Sequence, residues 1–270
     1  MIHISDDDLS RFEFEGALTL PKAVSEGYVD HENAKIWYAT YGSGNPLVLL
    51  HGGLGNSGNW GYQVAFLIDE GYMPIVIDSR GHGKSTRDKQ PYSYQLMAQD
   101  LKAVLDVLKI DRVGLVGWSD GAVTALVFAD IYPKRVAGIV YFACNMDKSG
   151  TLEDIEYTSV VQACFKRHKT DFERLSKQAE GFNDLVEALT IMQKTQPNYT
   201  EDDLKRIDVP VLLVHSEHDE FIKEEHSRYL AKAIPRASFQ LLQGVSHFAP
   251  LQRPDLFNEI VLDFFEDIKY

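Results

Sequence analysis

Three observations predict an α/β fold with a mostly parallel sheet of about eight strands. Short β-branched apolar runs recur along the chain, longer stretches with helical apolar spacing separate them, and the rhythm breaks once, after residue 146. The first strands are read at 27–31 and 35–40, a hairpin around the polar turn His31-Glu32-Asn33, and the next at 46–50 after Gly42-Ser43-Gly44-Asn45. Runs at 74–77, 113–116, 136–142, 211–214 and 239–242 are continuously apolar, as strands are when helices cover both faces of a sheet. Flanking helices are read at 60–69, 93–108, 122–131, 224–233 and 254–265; in the second, Leu101, Leu105 and Leu108 share one face. From Asp147 to Tyr199 no strand is legible, while Phe182, Leu185, Leu189 and Met192 step along one helical face. The expected organisation is an N-terminal extension over 1–26, a core domain over 27–146 and 200–270, and a helical lid inserted over 147–199. The acidic extension is either packed or partly frayed.

The 270 residues are 44% hydrophobic, 11% aromatic and 25% charged, which excludes disordered, collagenous and coiled-coil classes. The longest uncharged apolar stretch, 136–146, falls well short of the ~20 residues that span a bilayer. The opening MIHISDDDLSRFEFEG lacks the basic start and apolar run of a signal peptide. Cys144 and Cys164 cannot make a disulfide framework, so a reducing, cytoplasmic compartment is expected. With 27 Lys+Arg against 40 Asp+Glu the net charge is −13, and that field repels phosphate backbones and anionic membranes. Neither nucleic acid nor membrane is expected as a partner.

The chemistry begins at Gly117-Trp118-Ser119-Asp120-Gly121, which directly follows the strand at 113–116 and directly precedes the helix at 122–131. A G-x-S-x-G pattern between strand and helix is the context of a nucleophile elbow, where a sharp turn exposes the serine. Gly117 and Gly121 let strand and helix approach without side-chain collision. The helix start then offers free N–H groups and a positive dipole end beneath Ser119, where an oxyanion would form. The alternative is that Ser119 merely caps a helix in a glycine-lined turn.

With these pieces the chain resembles the α/β-hydrolase family from about Gly27 to Phe265. His51-Gly52-Gly53-Leu54-Gly55 is similar to the family's oxyanion loop, which implies a backbone N–H donor at Gly53, with Leu54 as substitute, and a second at Asp120. On this reading His51 is structural. Asp78-Ser79-Arg80-Gly81-His82-Gly83-Lys84-Ser85 resembles the D-x-R-G-x-G-x-S turn, which implies that Arg80 braces the loops. The resemblance implies His247 as base, after the last strand, and Asp219 as acid, after 211–214, with Ser216 where the usual pattern has glycine. Glu217 and Glu220 lie a small shift from Asp219, and Asp147 stands where some members keep the acid. The order Ser119, Asp219, His247 is that of this fold. A zinc reading of His215, His218, Asp219 and His226 lacks the His-Glu-x-x-His spacing. No metal and no cofactor are expected, and Cys144 and Cys164 are read as core or lid residues.

Serine, histidine, acid and oxyanion hole together imply acyl transfer to water. Haloalkane dehalogenases and epoxide hydrolases of the fold carry an aspartate at the nucleophile position, and the carbon–carbon bond hydrolases usually have Asn and Phe where this chain has Trp118 and Asp120. The expected function is hydrolysis of carboxylic esters of small to medium-sized molecules. The Gly-Trp-Ser-Asp-Gly segment further resembles the valacyclovir hydrolase-like branch. That implies a second reading, an amino-acid ester hydrolase or aminopeptidase-like enzyme in which Trp118 and Asp120 contact substrate and Asp120 meets its ammonium group. Against this, Asp120 can be a helix-start carboxylate stabilised by the dipole and a nearby Arg or Lys. A third reading is a hydrolase-fold receptor or signalling protein, which fold alone does not separate from an enzyme.

Overall fold

The computed structural model describes residues 7–153, 157–177 and 181–270. The first six residues of the expected extension, and 154–156 and 178–180 of the expected insertion, lie outside that range. The eight strands are β1 (Ser25–His31), β2 (Ala34–Thr40), β3 (Asn45–Leu50), β4 (Tyr72–Ile77), β5 (Val113–Trp118), β6 (Val136–Phe142), β7 (Val211–His218) and β8 (Ala237–Ser246). They form one sheet in the order β1-β2-β4-β3-β5-β6-β7-β8. Only the pairings of β2, with β1 and with β4, are antiparallel; from β4 to β8 every neighbour is parallel. The polar turn at Glu32 and Asn33, both at positive φ, closes the β1–β2 hairpin.

Side chains of the central strands alternate between two cores. Val48 and Leu50 of β3, and Ile139 and Tyr141 of β6, point to one. Leu47 and Leu49 of β3, and Val140 and Phe142 of β6, point to the other. This period of two on a strand buried on both sides explains why these segments read as unbroken apolar runs. The first face is covered by α3 (Tyr94–Val107), α4 (Asp120–Ile131) and α8 (Glu224–Ala233), and the second by α2 (Gly61–Asp69) and α9 (Pro254–Glu266). Ser93 caps α3 by accepting the Leu96 N–H at 3.0 Å. Leu101, Val104 and Leu105 then face the sheet; burying each contributes roughly 1.5–3 kcal/mol.

Residues 7–15 and 201–205 form helices that the sequence did not reveal. Residues 7–15 form α1 (Asp7–Glu15), whose Leu9 and Phe12 are buried in the second core, so the described part of the extension is packed. A short α7 (Glu201–Lys205) follows the insertion, capped reciprocally by Thr200 and Asp203. Between β6 and β7 lie α5 (Ser159–Leu175) and α6 (Phe182–Thr195), and Leu185, Leu189 and Met192 of α6 are buried as their spacing predicts. Because strands β3 and β5–β8 run parallel, their C-terminal ends, and the loops that carry the motifs, meet at one edge of the sheet.

Candidate active site

Ser119 sits between β5 and α4 at φ +54° and ψ −123°, a strained backbone for a side-chain-bearing residue. The strain is held from both sides. The Ser119 N–H donates to the Phe142 carbonyl at 2.8 Å, and its carbonyl accepts the Ala122 N–H at 2.8 Å. A Cβ at Gly117 would lie 2.4 Å from Ala122 Cα, and one at Gly121 would lie 2.1 Å from the Leu50 carbonyl oxygen, so the turn closes only with glycine at both. Asp120 opens α4, where the first N–H groups of a helix have no intrahelical acceptor.

The loop after β3 is fixed by two neutral histidines. His51 Nδ1 donates to the Gly52 carbonyl at 2.7 Å and its Nε2 accepts the Ser79 N–H at 3.0 Å. His82 Nδ1 donates to the Arg80 carbonyl at 3.0 Å and its Nε2 accepts the Leu54 N–H at 3.2 Å. Burial pushes His51 down to about 4 and His82 down to about 3, so both stay uncharged near neutrality. The Leu54 N–H is thereby engaged, and Leu54 is held at φ +65°. Arg80 clamps Asp100 with two bonds of 3.0 and 2.6 Å and donates to the His31 and Glu32 carbonyls, which ties the loop to the β1–β2 turn.

His247 follows β8, and its Nδ1 donates to Asp219 Oδ2 at 2.9 Å. Asp219 Oδ1 accepts the Phe221 and Ile222 N–H groups, each at 2.9 Å. Burial pushes Asp219 up, but the facing His247 and the Phe221 N–H outweigh it and hold the carboxyl below its ordinary value. Burial likewise pushes His247 down, and Asp219 together with Glu220 outweighs it and holds the ring above its ordinary value. The neighbouring glutamates do other work. Glu220 Oε2 accepts the His247 backbone N–H at 3.0 Å, and Glu217 Oε2 accepts the Gly244 N–H at 2.8 Å. Asp147 accepts the Ser149 N–H at 2.8 Å and lies 4.0 Å from His226, not against His247. His215 is bound to Ser227 and His226 to the Met146 N–H, and no group of three His, Cys, Asp or Glu among the described residues is placed to hold an ion.

Ser119, Asp120, Gly53 and His247 line one cavity of about 570 Å³. The insertion contributes Phe165 and His168 from α5 and Leu189 and Gln193 from α6 to its wall. Trp118 is 3% exposed, faces the cavity at one edge, and packs at 6.3 Å against the His247 ring and at 6.1 Å against Trp60. Asp120 is 5% exposed; its Oδ1 accepts the Tyr94 hydroxyl at 2.7 Å and its Oδ2 accepts the Gln193 amide at 2.9 Å. No ion pair holds this carboxylate among the described residues, and burial pushes its pKa up. The Arg or Lys partner that a purely structural Asp120 was expected to have is not in contact with it.

Sequence reasoning did not find Tyr94, Gln193, His168 or the position of Cys144 in the cavity wall. Tyr94 follows a helix cap, and Gln193 sits beside the buried Met192 on an amphipathic helix; neither carries a local signal. Cys144 is buried against the Ser119 side chain, and burial pushes its thiol well up.

A family model described as alpha/beta hydrolase fold matches residues 45–175. The chain has the α/β-hydrolase fold. It is 27% identical to a putative non-heme chloroperoxidase of Synechocystis sp., over 90% of this chain and 99% of the relative. It is 25% identical to the serine hydrolase BPHL of Mus musculus, over 93% of this chain and 90% of the relative. Among solved structures it is similar to Est816, described as an N-acyl homoserine lactone degrading enzyme, with TM-score 0.74 and 28% identity over 88% of this chain and 100% of that one. Relatives named as hydrolases, the serine hydrolase BPHL among them, support hydrolysis as the broad activity, and no helix among the described residues is long and apolar enough to cross a membrane.

Proposed function

We propose that this α/β-hydrolase is a serine esterase that cleaves carboxylic esters of small to medium-sized molecules through an acyl-enzyme. The observation that carries this is the 2.9 Å bond from His247 to Asp219 on the cavity that also holds the strained Ser119. Ser119 Oγ attacks the ester carbonyl carbon as His247 Nε2 takes its proton, and Asp219 keeps the Nδ1–H tautomer and stabilises the imidazolium. The N–H groups of Gly53 and Asp120 hold the oxyanion, each contributing about 3–4 kcal/mol to the transition state. Gly53 is preferred to Leu54 because the Leu54 N–H already serves His82. Collapse expels the alkoxide, which takes the proton from His247, and water then repeats the sequence on the acyl-enzyme.

The insertion 147–199 acts as a lid whose helices shape the substrate wall. Two free, buried cysteines suit a reducing cytoplasm.

Turnover of p-nitrophenyl acetate and butyrate tests the assignment. Ser119→Ala should lose about 10⁴–10⁶-fold in kcat with the fold retained, and intact mass should show one fluorophosphonate adduct absent from that variant. A folded Ser119→Ala protein with a tenth of wild-type turnover contradicts the nucleophile. Wild-type protein with neither turnover nor adduct points to the receptor reading.

The buried Asp120, held by neutral donors alone, favours a second reading. Its carboxylate would bind the ammonium of an amino-acid ester or peptide-like substrate. At about 4 Å such an attraction is about 4 kcal/mol at an effective dielectric of 20, before desolvation. A quarter of that gives roughly a fivefold preference in kcat/KM, read as valine ethyl ester over isovalerate ethyl ester and erased by Asp120→Asn.

A further inference from the structure

The bond between Gln193 and Asp120 joins three parts of the site at one point. Asp120 follows Ser119, Gln193 comes from α6 of the insertion, and both rest on the backbone of Gly53. A Cβ at Gly53 would stand 2.5 Å from Asp120 Oδ2 and 3.1 Å from Gln193 Nε2. A carboxylate only accepts hydrogen bonds, so the Gln193 amide must turn its NH₂ to Asp120. That fixes the other end of the amide: Oε1 is an oriented acceptor with no hydrogen-bond donor among the described residues. Tyr94 meanwhile occupies Asp120 Oδ1 from the opposite side. The pair stands beside the N–H groups assigned to the oxyanion, and an α-amino group is one carbon from the carbonyl it accompanies.

We infer that Gln193 is a specificity-determining residue whose Oε1, positioned by Asp120, is the second acceptor for a primary α-ammonium group of the substrate. The inference rests on the ammonium reading of Asp120 and deepens it. A primary ammonium carries three N–H donors, of which Asp120 takes one and Gln193 another; an N,N-dimethylated amine keeps one donor and satisfies only the first. The substrate class is therefore esters of α-amino acids with an unmodified amine, rather than any cationic ester. Gln193 contacts no reacting atom, so its effect belongs in the discrimination between substrates and not in the chemical step.

The test is the ratio of kcat/KM for valine ethyl ester to that for isovalerate ethyl ester at pH about 7, each variant's neutral ester serving as its own reference. Wild type, Asp120→Asn, Gln193→Leu and Gln193→Met are compared, with N,N-dimethylvaline ethyl ester as a third substrate. The ratio should fall about twofold in Gln193→Leu, one of the two contacts that share the roughly fivefold wild-type preference, and the wild-type preference for the primary over the dimethylated amine should fall with it. Gln193→Met, of nearly the same length and without either polar end, should lower the ratio to the same extent. A ratio lost in Asp120→Asn but unchanged or raised in Gln193→Leu overturns the role of Gln193 and leaves the Asp120 reading in place. A ratio unchanged in Gln193→Met overturns it as well, should the leucine variant fail to fold. A wild-type ratio of one removes the ammonium reading itself, and this inference with it.

Discussion

Two buried carboxylates, Asp219 beyond β7 and Asp120 at the start of α4, are treated in opposite ways. Asp219 accepts two backbone N–H groups and faces His247, and its pKa is held below the ordinary carboxylate value. Asp120 has a tyrosine hydroxyl and a glutamine amide, and burial carries its pKa upward. Both side chains are buried acceptors, so burial alone does not decide the outcome; the charge of the partner does. The contrast separates a carboxylate matched to a titrating partner from one held by neutral donors.

The largest effect that can break this comparison is on the chemistry. Asp219→Asn should lower kcat by about 10⁴-fold on a neutral ester, because the wrong histidine tautomer is stabilised. Asp120→Asn, which keeps its backbone N–H, should lose less than about tenfold on the same ester, and Asp147→Asn should be close to wild type. A severe loss in Asp147→Asn with a mild one in Asp219→Asn would move the acid to Asp147.

A smaller effect sharpens it through pH. His247 must be uncharged to take the serine proton, and its pKa lies above the ordinary 6.5, so kcat/KM for a neutral ester should climb through one ionisation centred above that value. Removing the Asp219 charge should move this limb clearly down. Removing the Asp120 charge, the weakest of the influences that raise His247, should move it slightly. Equal shifts in the two Asn variants would erase the distinction between the carboxylates.

The smallest effect concerns stability. Burial drives His51, His82 and His168 below their ordinary 6.5, to about 4, about 3 and about 4. The unfolded chain binds these protons first as the pH falls, so their contribution is complete above 6.5 and is lost between about 6.5 and about 3–4. His247 works the other way, adding stability below 6.5 that disappears as the pH rises through its folded pKa. Urea midpoints should therefore drop from pH 7 to pH 4.5, and a flat series over that range would contradict neutral burial of the three rings.

What the sequence determined by itself was everything local in cause. Apolar runs covered on both faces specify strands, a cap such as Ser93 specifies a helix start, and glycines two residues either side of Ser119 specify a turn that only they permit. The loop motifs at His51, Ser119, Asp219 and His247 were legible because each sits directly after an apolar run, so parallel topology alone brings them to one edge. The choice of Asp219 over Asp147, Glu217 and Glu220 as the carboxylate facing His247, the engagement of the Leu54 N–H by His82, the burial of Leu9 and Phe12 and the meeting of Tyr94, Gln193 and Gly53 around Asp120 were decided only in the tertiary structure. Those contacts join residues far apart in the chain, and whether a polar side chain is matched, strained or left waiting depends on what the fold packs against it. Spacing along the sequence carries no record of that.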